Sequence, residues 1–129
     1  MQYEYDLIVI GTGPAGEKAA VKAAYFGYKV AIVEKESLFG GAEAVTGTLP
    51  SKTLKESALY LSGKYEKGLF SVDRSLSHPV SLEDFMYRKN QVTDSITKEI
   101  RKNLERHKVS IFEGTASFQD IHTITITPS

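Results

Sequence analysis

The chain has 129 residues, with no cysteine and no tryptophan, and its 16 lysines and arginines balance 16 aspartates and glutamates. That size predicts one domain able to bury a core. The absence of cysteine excludes disulfides, thiolate metal sites, cysteine nucleophiles and dithiol redox chemistry within this chain, and the zero net charge argues against a nucleic-acid partner.

The chain opens on the acidic stretch Met1-Gln2-Tyr3-Glu4-Tyr5-Asp6. The apolar run that follows, Leu7-Ile8-Val9-Ile10, is too short for a signal core or a membrane span. The expectation is a cytoplasmic protein with no membrane partner.

The first 36 residues read as one βαβ unit. Leu7-Ile8-Val9-Ile10 is a continuous apolar run ended by glycine, the pattern of a strand buried on both faces. Gly11-Thr12-Gly13-Pro14-Ala15-Gly16 follows, and then an alanine-rich helix pattern over residues 14–26 that ends near Gly27. Proline in the first turn and glycine past the last one fit the polarity of a helix. Residues 29–34 form a second buried strand. Two strands joined by a helix are expected to be parallel, with a right-handed crossover.

Residues 37–48 are glycine-rich and carry no clear period. A helix is expected from about Pro50 to about Ser62. Residues 63–79 read as a loop with weak strand character at 69–72. Ser81-Leu82-Glu83-Asp84 has the form of a capping box, with aspartate in the usual glutamate position. Leu82, Phe85, Val92, Ile96, Ile100 and Leu104 then recur at helical spacing, predicting a long amphipathic helix to about His107. Residues 109–113 form a third strand candidate. Residues 116–118 and 122–127 predict a hairpin. The expected architecture is an α/β, Rossmann-like three-layer fold, with a parallel sheet in the order 2-1-3 and a partial antiparallel β-meander.

Gly11, Gly13 and Gly16 spell G-x-G-x-x-G between a strand and a helix. The first glycine permits the tight turn, the second lets backbone approach a pyrophosphate, and the third lets helix and strand pack closely. The helix N-terminus turns free N–H groups and a positive dipole end toward that anion. Glu34 ends the second strand, where a carboxylate can accept from both ribose hydroxyls of an adenosine and would repel a 2′-phosphate. FAD and NAD share this logic, and spacing does not separate them. The histidines, His78, His107 and His122, are scattered without metal-ligand spacing. The basic run of residues 98–108 reads as a solvated helix end.

Gly40-Gly41-Ala42-Glu43-Ala44-Val45-Thr46-Gly47-Thr48-Leu49-Pro50-Ser51-Lys52 resembles the G-G-x-C-x-x-x-G-C-[IV]-P-S-K segment of the FAD-dependent pyridine nucleotide–disulfide oxidoreductases. Glu43 stands at the first cysteine position of that family and Thr48 at the second. The resemblance runs the length of the chain and implies FAD as the cofactor. It implies cofactor contacts at Gly11, Gly13, Pro14, Ala15, Gly16, Glu34, Lys35, Gly41, Thr48 and Lys52. Lys52 is expected beside the flavin, where a cation favours negative charge on the ring. Thr48 is expected to face the ring, and Glu43 to lie farther out.

Within the family the chain is most similar to the soluble pyridine nucleotide transhydrogenases, which keep threonine at the second cysteine position. Such enzymes move hydride between NADPH and NAD⁺ through FAD without a disulfide relay. The alternatives are a dihydrolipoamide dehydrogenase-like member, a nucleotide-binding module completed by another chain, and a non-catalytic relic. The resemblance further implies that residues 1–129 are the amino-terminal part of an FAD-binding domain, without the NAD(P)-binding and dimerisation domains. There is no second G-x-G-x-x-G in these residues, so the chain alone is expected to be inactive. Its unfinished sheet edges predict self-association or a partner chain.

Overall fold

The computed structural model describes residues 3–62 and 80–128. The loop expected at 63–79, its weak strand and His78 fall outside the described residues. The chain runs β1 (Leu7–Ile10), α1 (Pro14–Tyr25), β2 (Val30–Glu34), a π-helical turn (Ala42–Thr46), α2 (Thr48–Leu61), α3 (Leu82–Arg106), β3 (Ser110–Glu113), β4 (Thr115–Phe118) and β5 (Ile124–Thr127).

β1, β2 and β3 form a parallel sheet, and β4 and β5 pair as an antiparallel ribbon. The strand order is β1-β2-β3, not 2-1-3. Leu7 pairs with Val30 on one edge of β2, and Ala31 pairs with Ser110 on the other. Handedness accounts for the order. Right-handed crossovers that keep advancing in one direction leave their helices on the same face of the sheet, whereas a reversal sends the next helix to the opposite face. Here Ala20 of α1 and Leu104 of α3 share one core with Val30 and Ile32 of β2, so α1 and α3 cover the same face. All five residues of β2 are buried, as a central strand requires, while the end residues of β1 stay exposed.

The core comprises Ala20, Val30, Ile32, Phe39, Leu104 and Val109, with Val9, Val21, Ile100 and Ile111 packed around it. Side chains alternate along a strand, so Ala31 and Val33 point away from this core, yet both are buried. β4 comes into contact with β2, and the Gly114 N–H between β3 and β4 donates to Glu34 O at 2.8 Å.

Pro14 opens α1, and Gly27 follows its C-terminal cap at φ +90°, a conformation that suits glycine. α2 begins at Thr48, two residues before the expected start, and Gly47 is its cap. Pro50 then sits in the first turn, where a missing N–H breaks no intrahelical bond. The capping box of α3 is formed in both directions. Asp84 N–H donates to Ser81 Oγ at 3.1 Å, and Ser81 N–H donates to Asp84 Oδ2 at 3.0 Å. Along α3, Leu104 is fully buried and Ile96 and Ile100 are half-buried, but Leu82 is 77% exposed. The apolar stripe packs over its C-terminal part and leaves Leu82 outside the core.

Candidate functional site

The site is built where the C-terminal ends of β1 and β2 meet the start of α1. Gly11 turns the chain at φ +96°, and its N–H donates to Val33 O at 2.7 Å. A Cβ on Gly16 would stand 2.0 Å from Gly11 O and 3.3 Å from a Val9 methyl, so only glycine lets α1 lie this close to β1. A Cβ on Gly13 would meet nothing within 4 Å, so the turn is open to an approaching group at that point. Gly13 caps α1 without any side-chain hydrogen bond. Pro14 and Ala15 are exposed in the first turn.

Glu34 is buried at the end of β2, with its carboxylate turned toward the glycine turn. Its Oε2 accepts from Thr12 N–H at 2.8 Å and from Thr12 Oγ1 at 2.5 Å, and its Oε1 accepts from Glu36 N–H at 3.1 Å. Burial pushes the Glu34 carboxyl up. The Thr12 hydroxyl and N–H, with the Glu36 and Lys35 N–H groups, outweigh it and hold the group below the ordinary glutamate value. A carboxylate has about four acceptor positions. At least three are engaged here, so two ribose hydroxyls bind together only by displacing a resident donor. Lys35 is exposed and lies 3.9 Å from Glu36.

The second glycine-rich segment comes back onto the first. Gly41 adopts φ +55°, and a Cβ there would stand 3.2 Å from Gly13 Cα. Gly40 N–H donates to Thr12 Oγ1 at 3.1 Å. Thr12 is therefore fully buried between three elements: its own turn, the end of β2 and the second glycine-rich segment. Sequence reading missed Thr12 as a site residue, because the middle position of G-x-G carries no type requirement in the motif.

The structure gathers Gly11, Gly13, Gly16, Glu34 and Gly41 at one place, and Leu49 in the first turn of α2 lines a groove together with Pro14 and Gly40. Thr48 is the exposed first residue of α2, and Lys52 is exposed one turn later. Lys52 lines a groove of 560 Å³ between α2 and α3, with Tyr60 and Arg88. Glu43, also exposed, lines a different groove of 470 Å³ with Lys18, Ile96 and Arg106. Among the described residues no helix is long and apolar enough to cross a membrane.

A family model described as pyridine nucleotide-disulphide oxidoreductase matches residues 5–127. The soluble pyridine nucleotide transhydrogenase of Mycobacterium tuberculosis is 39% identical over 123 residues, covering 95% of this chain and 26% of that protein. The protein of the same name from Azotobacter vinelandii is 38% identical over 126 residues, covering 96% of this chain and 26% of that protein. Among solved structures, the HOCl-induced flavoprotein disulfide reductase RclA from Escherichia coli, determined as a Cu(II) complex, matches with a TM-score of 0.75 at 24% identity. That match covers 98% of this chain and 25% of the other, and is a likeness of fold. The chain spans about a quarter of the length of the relatives it matches. On this match across nearly all of its residues, the chain belongs to the pyridine nucleotide-disulphide oxidoreductase family.

Proposed function

We propose that the chain forms the adenosine-end FAD-binding part of a flavoprotein oxidoreductase of the transhydrogenase type, exchanging hydride between NADPH and NAD⁺ without a redox disulfide. The observation that carries the reading is the convergence of the Gly13 turn, the Glu34 carboxylate and Gly41 at one point. The open space over Gly13 fits a pyrophosphate, and the N-terminal N–H groups of α1 face an anion favourably. Glu34 Oε1 would take one ribose hydroxyl while Thr12 keeps Oε2. Its negative charge disfavours a 2′-phosphate at the same place.

Bound FAD would supply the ring that takes up and returns hydride. Toward that ring, Lys52 would bring a cation that favours negative charge on it. Thr48, at the second cysteine position, brings a hydroxyl that cannot form a disulfide. With Glu43 at the first position and no cysteine anywhere in the chain, dihydrolipoamide-type chemistry has no thiols to use. The relatives' name, soluble pyridine nucleotide transhydrogenase, supports the same direction.

A second reading, a nucleotide-binding module completed by another chain, is favoured by the outer edge of β1, where Leu7 is 38% and Ile10 52% exposed. Flavin content and NADPH-to-NAD⁺ exchange test both readings. The purified chain should bind FAD and show negligible exchange alone. Turnover by the isolated chain, or failure to take FAD at all, contradicts the proposal.

A further inference from the structure

We propose that Thr12 is the positioning residue of the adenosine site: its hydroxyl holds the Glu34 carboxylate and the Gly40 N–H at once, so that the ribose acceptor and the second glycine-rich segment are set by one side chain. The inference rests on the FAD reading above and deepens it.

The hydroxyl works in both directions. It donates to Glu34 Oε2 at 2.5 Å and accepts from Gly40 N–H at 3.1 Å, while the Thr12 N–H reaches the same Oε2 at 2.8 Å. All of this is inside the fold, since Thr12 is 0% and Glu34 7% exposed. A buried carboxylate remains charged only when donors meet it, and Thr12 supplies two of those donors. Gly40 N–H would lose its acceptor without the hydroxyl, and a buried unpaired donor is costly. Gly40 is next to Gly41, which lies against Gly13. Loss of the hydroxyl therefore loosens two walls of the site together: the acceptor for the ribose and the backbone beside the pyrophosphate turn. None of the G-x-G conformational requirements asks for a hydroxyl at this position, so the effect is separable from the turn itself.

Thr12→Val keeps the shape and removes the hydroxyl; Thr12→Ser keeps the hydroxyl. FAD affinity of the chain is measured by titration, and the Gly40 amide is followed by hydrogen exchange in the ligand-free protein. Thr12→Val should weaken FAD by about tenfold or more, the scale of a lost charge-assisted bond, and strip the Gly40 amide of protection. Thr12→Ser should restore both. Because one of the two arms of Thr12 runs through Glu34, adding Thr12→Val to Glu34→Gln should cost less than it does alone, with the remaining loss coming from the Gly40 arm. If Thr12→Val does not fold, Thr12→Ala carries the same expectations. FAD binding by Thr12→Val as tight as by the wild type, a protected Gly40 amide, failure of Thr12→Ser to restore binding, or additive losses in the double variant overturns the proposal. If the wild-type chain itself takes no FAD, the FAD reading fails first, and that outcome is distinct from a wild type that binds and a variant that binds equally well.

Discussion

Gly16 and Gly11 stand so close that a Cβ on the first would lie 2.0 Å from the carbonyl oxygen of the second. This contact is what seats α1 on the end of β1. It lies between two backbones, so neither partner can rotate away. Gly16→Ala should therefore destabilise the fold by about 3 kcal/mol, in the upper range of overpacking. Chemical denaturation reads the loss. A Gly16→Ala variant within 0.5 kcal/mol of the wild type, roughly the spread of neutral surface changes, would contradict the close packing.

Glu34 couples the fold to pH. Its carboxyl is held below the ordinary value of 4.5, with burial opposing and the Thr12 bonds prevailing. A group with a depressed folded value contributes stability that is complete above the unfolded value and is lost as pH falls through the folded value. Glu34→Gln should cost about 1–2 kcal/mol at neutral pH. The gap to the wild type should then close as pH drops below 4.5. Denaturation midpoints across that range check it, and a gap that stays constant with pH would speak against a charged, bonded Glu34.

Arg101 ties α3 to the segment after β2 and to β3. Its guanidinium lies 4.6 Å from the ring centre of the buried Phe39, and it pairs with Glu113 of β3. The ion pair is largely in solvent and is screened by salt, whereas the stacked guanidinium is not. Arg101→Ala should cost about 1 kcal/mol, and most of the loss should persist at high salt. A loss that vanishes with added salt would assign the effect to the ion pair alone.

Lys52 bears no load in the fold that its exposure would reveal. Lys52→Ala should leave stability within about 0.5 kcal/mol. In the flavin-loaded protein it should lower the midpoint potential, because a cation near the ring favours its negatively charged form. An unchanged potential would remove Lys52 from the flavin end of the site.

The fold was legible wherever local chemistry decides it. The apolar runs of β1 and β2, proline and glycine at the ends of α1, and the Ser81-to-Asp84 capping box all lie where the pattern predicts. Strand order was not legible, because β1 and β2 read as equally apolar runs. Which one is central depends on α1 and α3 sharing a face, a tertiary fact. Leu82 continues the α3 stripe in sequence but extends past the core that Leu104 anchors. At the candidate site, spacing alone pointed to the glycine turn and to the Glu34 carboxylate beside it, because the close approach of Gly16 to Gly11 is a backbone requirement written into the motif. Thr12 could not, because its role comes from a contact with Gly40, 28 residues away.

An adenosine grip is tested most directly by comparing FAD with FMN, which has the flavin but no adenosine. Amide resonances of residues 11–16 and of Glu34 are followed as each is added to the chain. These residues should shift saturably with FAD, in competition with ADP, and not with FMN. Equal response to FAD and FMN, or no response to FAD, would contradict an adenosine grip built from the Gly13 turn and Glu34.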